Sequence, residues 1–271
     1  MPRPRLIATD LDGTLLGRDG LVSVRTSQVW RSLAEADIRT VIVTARPPRW
    51  VDHLAPYTGD HGMVICGNGA FLYDVAQRRV VETHGLEPAL VQELIADLRT
   101  IPGVSFSAEL ADGFHREDAY PAGTPDGIPE IGQERIAPLD GIDAPAGKLL
   151  ARTAEVPGEE FLGRVREIIG ARALLSQSCM GSLAEIGPVG VTKARALEAW
   201  CAQLGISASE VWAFGDMPND IPMLTWAGTG WAVANAHEDV LAVADRVCGR
   251  HDEDGVAIAL ENLLAAAGAR P

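Results

Sequence analysis

Five short, uninterrupted apolar runs, each stopping at a small or polar residue, constrain this chain more than any other feature. They are Leu6-Ile7-Ala8-Thr9 before Asp10, Val41-Ile42-Val43 before Thr44, and Met63-Val64-Ile65-Cys66 before Gly67-Asn68-Gly69. Val211-Trp212-Ala213-Phe214 before Gly215-Asp216 and Trp231-Ala232-Val233-Ala234 before Asn235 complete the set. A strand with one wet face alternates apolar and polar residues. A continuous run fits a strand covered on both faces, which is the situation in a parallel sheet. Amphipathic patterns lie between the runs. Val29, Trp30, Leu33 and Ala36 recur at helical spacing, as do Ala194, Leu197, Cys201 and Leu204 ahead of a terminating Gly205. Ser207 and Glu210 have capping-box spacing, and Val256, Ala259, Leu260, Leu263 and Leu264 form a last stripe. Alternating strands and helices predict an α/β, doubly wound parallel-sheet (Rossmann-like) core. Such sheets bind ligands beyond the C-terminal ends of their strands, where the polar residues just named would sit.

The pattern changes between about residues 86 and 186. A helix over 88–98 is followed by strand-like stretches at 104–109 and 113–116, then by a Pro/Gly-rich stretch over 119–147. A strand-like 148–152, a helix near 159–169 and strand-like runs at 173–178 and 182–186 close the region. This reads as an inserted α+β domain at 85–186, flanked by core segments 1–84 and 187–271. A chain of 271 residues accommodates two such domains. The formal charge of −14, with dispersed basic residues, disfavours a nucleic-acid partner. No stretch of about 18 apolar residues lacks a charge, so no membrane span is expected. The apolar run before Asp10 is too short for the core of a secretion signal, which predicts a cytoplasmic location. Cys66, Cys179, Cys201 and Cys248 are widely separated and read as reduced thiols rather than a disulfide framework or zinc site.

Three clusters carry chemistry. Asp10-Leu11-Asp12-Gly13-Thr14 follows the first run; its carboxylates can face one cleft if the chain turns at Gly13, or it can be a solvated turn. A calcium loop is excluded, because Leu15 and Leu21 stand where Gly and Glu are required. Gly215-Asp216-Met217-Pro218-Asn219-Asp220 follows the fourth run, and Pro222 suits the first turn of a helix. Taken alone, that segment is also an ordinary acidic helix start. Together, Asp10, Asp12, Asp216 and Asp220 would bring four carboxylates to one sheet edge, where they could not all ionise without a cation. All-oxygen ligands favour Mg²⁺. Third, Thr192 is a suitable N-cap that places Lys193 in a helix's first turn, where ammonium and helix N-terminus both favour phosphate. The chain has only two lysines, Lys148 and Lys193, so a retained lysine suggests a wanted point charge, although an exposed surface lysine fits too. Thr44 adds a hydroxyl at the end of the second run. P-loop, GxGxxG, GxSxG and HExxH motifs are absent.

The set of DLDGT, Thr44, Lys193 and GDMPND resembles the four motifs of the haloacid dehalogenase superfamily, and more narrowly its Cof-type phosphatase branch. Gly67-Asn68-Gly69-Ala70, Ala234-Asn235-Ala236 and Glu253-Asp254-Gly255 add to the likeness. The resemblance implies a cap domain of αββαββ type in the insert and phosphoryl transfer through an aspartyl-phosphate. It implies Asp10 as nucleophile and Asp12 as general acid and base. Asp10, Asp216 and the backbone carbonyl of Asp12 would hold Mg²⁺. Thr44, Lys193 and the amides near Leu11 and Ala45 would grip the phosphoryl group, with Asn219, Asp220, Arg46 and Asn68 in support. Thr44-Ala45-Arg46 departs from the family's Thr-Gly-Arg, and Ala tolerates positive φ poorly. A small phosphate ester, most often a sugar phosphate, is the implied substrate, with His115, Arg116, Lys148, Arg152, Met180 and Ser182 as cap candidates for selecting it. A monomer or homodimer is expected. The alternatives are a phosphomutase of the phosphomannomutase type, a dehalogenase, which has no need of the acid at Asp12, and a non-catalytic phosphometabolite-binding protein.

Overall fold

A computed structural model describes residues 3–58, 61–121, 134–176 and 183–268. The chain divides into two compact units: 1–46, 51–78 and 192–271 form the first, and 47–50 with 79–191 form the second. In chain order the first unit begins with β1 (Leu6–Thr9), α1 (Val24–Glu35), β2 (Arg39–Val43), β3 (Met63–Cys66) and β4 (Phe71–Asp74). The second unit holds β5 (Arg79–Thr83), α2 (Pro88–Leu98), β6 (Ser105–Leu110), β7 (Gly113–Arg116), β8 (Glu134–Ile136), β9 (Lys148–Arg152), α3 (Gly158–Ile169), β10 (Leu174–Ser176) and β11 (Leu183–Gly187). The first unit resumes with α4 (Lys193–Leu204), β12 (Val211–Gly215), α5 (Ile221–Trp226), β13 (Thr229–Val233), α6 (Glu238–Val243), β14 (Arg246–Cys248) and α7 (Gly255–Gly268).

The first unit's strands lie in the order β14-β13-β12-β1-β2-β3-β4. All neighbours are parallel except β3 with β4. β1 and β12 are buried along their whole length, as their unbroken apolar character predicts. The topology decides where a ligand can sit. From β1 the chain steps outward through β2 and β3; it returns later through α4 to β12 on the other side of β1. The strand order therefore reverses between β1 and β12, and it is beyond the C-terminal ends of two such strands that sheets of this kind bind ligands. Helices pack the sheet through Leu197, Trp200, Cys201, Met223 and Val240 against Leu6, Ala8, Val41 and Ala213.

The second unit is a six-stranded sheet in the order β10-β11-β9-β6-β7-β8. Its two halves repeat helix–strand–strand, as α2-β6-β7 and α3-β10-β11. Both helices cover one face, through Val91, Leu94 and Leu98 and through Phe161, Val165 and Ile169, against Phe106, Ala108, Leu149 and Ala151. The other face carries Ser105, Ser107, Glu109, Lys148, Arg152 and Glu185 alongside Leu150 and Leu183. Cys66, Cys201 and Cys248 are free thiols, and Cys179 lies outside the described residues. Among the described residues no helix is long and apolar enough to cross a membrane.

Candidate active site at the switch point of the sheet

Asp10 directly follows β1, and its backbone N–H donates to the carbonyl of Phe214 in β12 at 2.9 Å. The two carboxylate-bearing loops thus leave adjacent strands side by side. Beyond Asp10 the chain turns at Gly13, whose φ is +78°. A Cβ there would stand 2.5 Å from Oδ2 of Asp216, so both the backbone conformation and the contact require glycine. The next residue, Thr14, donates from Oγ1 to Oδ1 of Asp216 at 2.8 Å. Gly13→Ala is expected to destabilise the protein by about 1–3 kcal/mol in urea denaturation, because Asp216 must give way.

On the other loop, Asp220 is fully buried. Its Oδ2 accepts the backbone N–H groups of Asp216 and Met217, both at 3.0 Å, and this folds the Gly215–Asp220 segment back on itself. Its Oδ1 accepts from Lys193 Nζ at 2.7 Å. Lys193 opens α4 behind Thr192, whose hydroxyl caps the helix by accepting from the Arg195 amide. The Lys193 side chain is 1% exposed and reaches Asp10 Oδ1 at 2.5 Å as well. One ammonium therefore bridges a carboxylate from each loop.

Thr44 follows β2 and is fully buried. Its hydroxyl accepts the Arg46 N–H at 3.1 Å, and its carbonyl accepts the Asn68 N–H at 3.0 Å. The turn at Gly67–Gly69 holds Asn68 at φ +58°. Asn68 Oδ1 in turn accepts from Asn219 Nδ2 at 3.0 Å, tying the β3 loop to the β12 loop. Ala45 is not among the residues with positive φ, so alanine is accommodated where the family resemblance expects glycine.

The sequence suggests four converging carboxylates, but the structure brings three together. Oxygen atoms of Asp10, Asp216 and Asp220 lie within 4.8 Å of one another. The Asp12 carboxylate instead is 58% exposed and turned to Arg46. The physical reason is in the partners: the cluster already holds three carboxylates against one ammonium, while the Arg46 guanidinium offers Asp12 a two-pronged partner at the rim. Of the residues singled out in the second unit, His115 pairs with Asp112 at 2.9 Å, Lys148 with Glu185 at 2.5 Å, and Arg116 with Glu134. The Arg152 guanidinium lies 5.8 Å from the Tyr120 ring centre. Met180 and Ser182 lie outside the described residues.

Two residues that the motifs do not give a role hold the opening loop. Thr14 orients Asp216, and Asn235, after β13, donates from Nδ2 to the Gly13 carbonyl at 2.9 Å. Asn235 Oδ1 also accepts the His251 N–H, and the His251 ring meets the Leu16 carbonyl at 2.7 Å. Its position at the end of a strand run and its place in the Ala234-Asn235-Ala236 stretch of the family likeness pointed to Asn235, but neither gave it a role.

The donor set fits a hard divalent cation. Asp220 has both oxygens engaged by Lys193 and backbone amides, which leaves Asp10 and Asp216 as the carboxylates that could hold it. Burial pushes Asp10 up from 3.8 to about 8; Lys193 opposes this, and Asp220 and Asp216 add to it. Burial also raises Asp216. Lys193 is held protonated by its two carboxylates against the desolvation that opposes its charge. Buried carboxylates that resist ionisation, in a cluster made of Asp oxygens without His or Cys, match the ligand chemistry of Mg²⁺. Between about pH 4 and about 8 the folded metal-free protein keeps a proton on Asp10 that the unfolded chain gives up. Stability should therefore fall as pH rises through that window, and millimolar Mg²⁺ should flatten the fall. Urea denaturation at a series of pH values, with and without Mg²⁺, checks this; a flat metal-free profile would contradict it.

Comparison with known proteins bears on the family. Residues 7–260 match the family model described as haloacid dehalogenase-like hydrolase. The chain is 28% identical to a protein named phosphoglycolate phosphatase from Methanopyrus kandleri, over 96% of this chain and 97% of that one. It is 29% identical to 5-amino-6-(5-phospho-D-ribitylamino)uracil phosphatase YitU of Bacillus subtilis, over 94% and 96%. A crystal structure of a haloacid dehalogenase-like hydrolase from Bacteroides thetaiotaomicron superposes with a TM-score of 0.79 at 25% identity, covering 96% of this chain and 100% of that one. With the family model spanning both core segments and the insert, the chain belongs to the haloacid dehalogenase-like hydrolases.

Proposed function

We propose that the protein is a Mg²⁺-dependent phosphatase that hydrolyses a small phosphorylated metabolite, a sugar phosphate in the first instance, through an aspartyl-phosphate on Asp10. The observation that carries this reading is the buried Lys193 bridge between Asp10 and Asp220, with Asp216 beside it at the strand-order reversal. An anion that attacks a phosphate anion needs positive charge in place beforehand. Lys193 supplies part of it. Mg²⁺, held by Asp10, Asp216 and the Asp12 carbonyl, supplies Lewis-acid neutralisation of the phosphoryl oxygens when bound. Names of relatives support phosphate-ester chemistry: one is a phosphoglycolate phosphatase, another acts on a phosphoribitylamino-uracil. Those substrates differ, so they support the class of reaction rather than one metabolite.

The residues divide the work as follows. An Asp10 oxygen attacks phosphorus while the bond from phosphorus to the ester oxygen breaks. Asp12 gives its proton to that oxygen, which leaves as the alcohol. Asp12, now a carboxylate, takes a proton from the water that attacks the phosphoryl group, releasing inorganic phosphate and the Asp10 carboxylate. Thr44, Lys193 and the amides near Leu11 and Ala45 hold the phosphoryl oxygens. Asp220 fixes Lys193, and Asn68 and Asn219 fix the two loops to each other. The second unit, which carries His115, Arg116, Lys148 and Arg152, acts as the cap that selects the ester. A phosphate-release screen over sugar, polyol and nucleotide phosphates tests the proposal. Turnover with Mg²⁺ that is lost in excess chelator is expected. Full turnover in chelator, or release from no phosphate ester, would overturn it.

A further inference from the structure

The Arg46 guanidinium grips both oxygens of Asp12, Nε to Oδ2 at 2.9 Å and Nη2 to Oδ1 at 2.6 Å. Such an exposed ion pair adds little to folding stability, because water screens it and two side chains must be ordered to form it. Its value lies in geometry: a planar fork fixes the plane of the carboxylate it meets. The fork itself is rigidly mounted. The Arg46 N–H donates to the Thr44 hydroxyl at 3.1 Å, and its carbonyl accepts the Gly67 N–H at 2.9 Å. Both ends of the residue's backbone are thus pinned, one to the end of β2 and one to the turn after β3. Asp12, by contrast, sits in a loop with its side chain 58% exposed, and its carboxylate is held from the side by the Arg46 fork.

We propose that Arg46 is a positioning residue for Asp12, setting the direction in which its carboxyl meets the ester's leaving oxygen. This rests on the reading of Asp12 as the proton donor. When one Asp12 oxygen carries the proton, the contact to that oxygen gives way, and the guanidinium keeps the other. The proton then passes to the leaving oxygen as the phosphorus–oxygen bond breaks, and the carboxylate returns to the closed fork. Arg46 touches neither the phosphorus nor its oxygens in this scheme, so its effect scales with how much the leaving group needs the proton.

Phenyl phosphate and para-nitrophenyl phosphate separate that effect from a structural one. Phenoxide is much the more basic leaving group and depends far more on acid assistance. Well-placed acid–base catalysis contributes about 10²–10⁴-fold. Arg46→Met should therefore cut kcat/KM for phenyl phosphate at least ~10-fold more than for para-nitrophenyl phosphate. Arg46→Lys, which keeps the charge but not the fork, should fall between Met and wild type in that ratio. Because both substrates are read on one protein sample, the ratio does not depend on how much of it is folded. Equal losses on both substrates would overturn the positioning role while leaving the phosphatase reading intact. A wild-type protein that releases phosphate from neither of these esters, nor from any ester of the screen, with Mg²⁺ would overturn the phosphatase reading, and this inference with it.

Discussion

Asp10→Asn is expected to lower phosphatase turnover by about four orders of magnitude or more while the protein stays folded. The amide occupies nearly the same volume but cannot attack phosphorus as a carboxylate does. The fold should survive for a local reason. Burial already pushes the Asp10 carboxyl up to about 8, so a neutral side chain suits this position in the metal-free protein. Lys193 keeps its second partner, Asp220, at 2.7 Å. Steady-state phosphate release, alongside a urea melt, checks both halves. A variant that keeps a tenth of wild-type activity would remove Asp10 from the nucleophile's role.

Lys193→Met should be worse for the fold. The side chain is buried, and its loss leaves Asp10 and Asp220 close together with no ammonium between them. Breaking a buried charge pair by removing one partner costs about 3–5 kcal/mol, because the remaining charge stays desolvated. Asp10 is already pushed towards its neutral form, so Asp220 is the carboxylate left without a counter-charge, and a loss within that range is expected in urea denaturation, together with loss of turnover. The double variant Asp10→Asn, Lys193→Met should recover little of the lost stability below about pH 8, since Asp10 already favours its neutral form there. If Lys193→Met is as stable as wild type, the ammonium does not hold these loops together.

Much of the site was legible because its residues stand at the ends of continuous apolar runs. β1, β2, β3 and β12 read as two-sided buried strands; Asp10, Thr44 and Asp216 directly follow β1, β2 and β12, and Asn68 stands two residues past the end of β3. Lys193 was placed by its capping threonine and Asp220 by its strand-end motif. Other features carried no such signal. β8 is a fully exposed Glu134-Arg135-Ile136, and β14 is three residues at the sheet edge, so neither has an apolar period to read. β4 is buried but follows so closely on the Gly67–Gly69 turn that its pairing back onto β3 has no separate pattern. The direction of the Asp12 side chain was hidden for another reason. Spacing can bring two carboxylates to one strand end, but which way each turns depends on where a cation such as Arg46 is mounted, and that comes from a different strand.

The most direct test of the covalent reading is a rapid-quench experiment with a phosphoryl-radiolabelled ester the wild-type protein hydrolyses in Mg²⁺. The account predicts label on the peptide containing Asp10, stable in acid and released by hydroxylamine as an acyl phosphate is, appearing and decaying within a turnover. Turnover in which no label reaches that peptide, or in which it reaches a different residue, would contradict it.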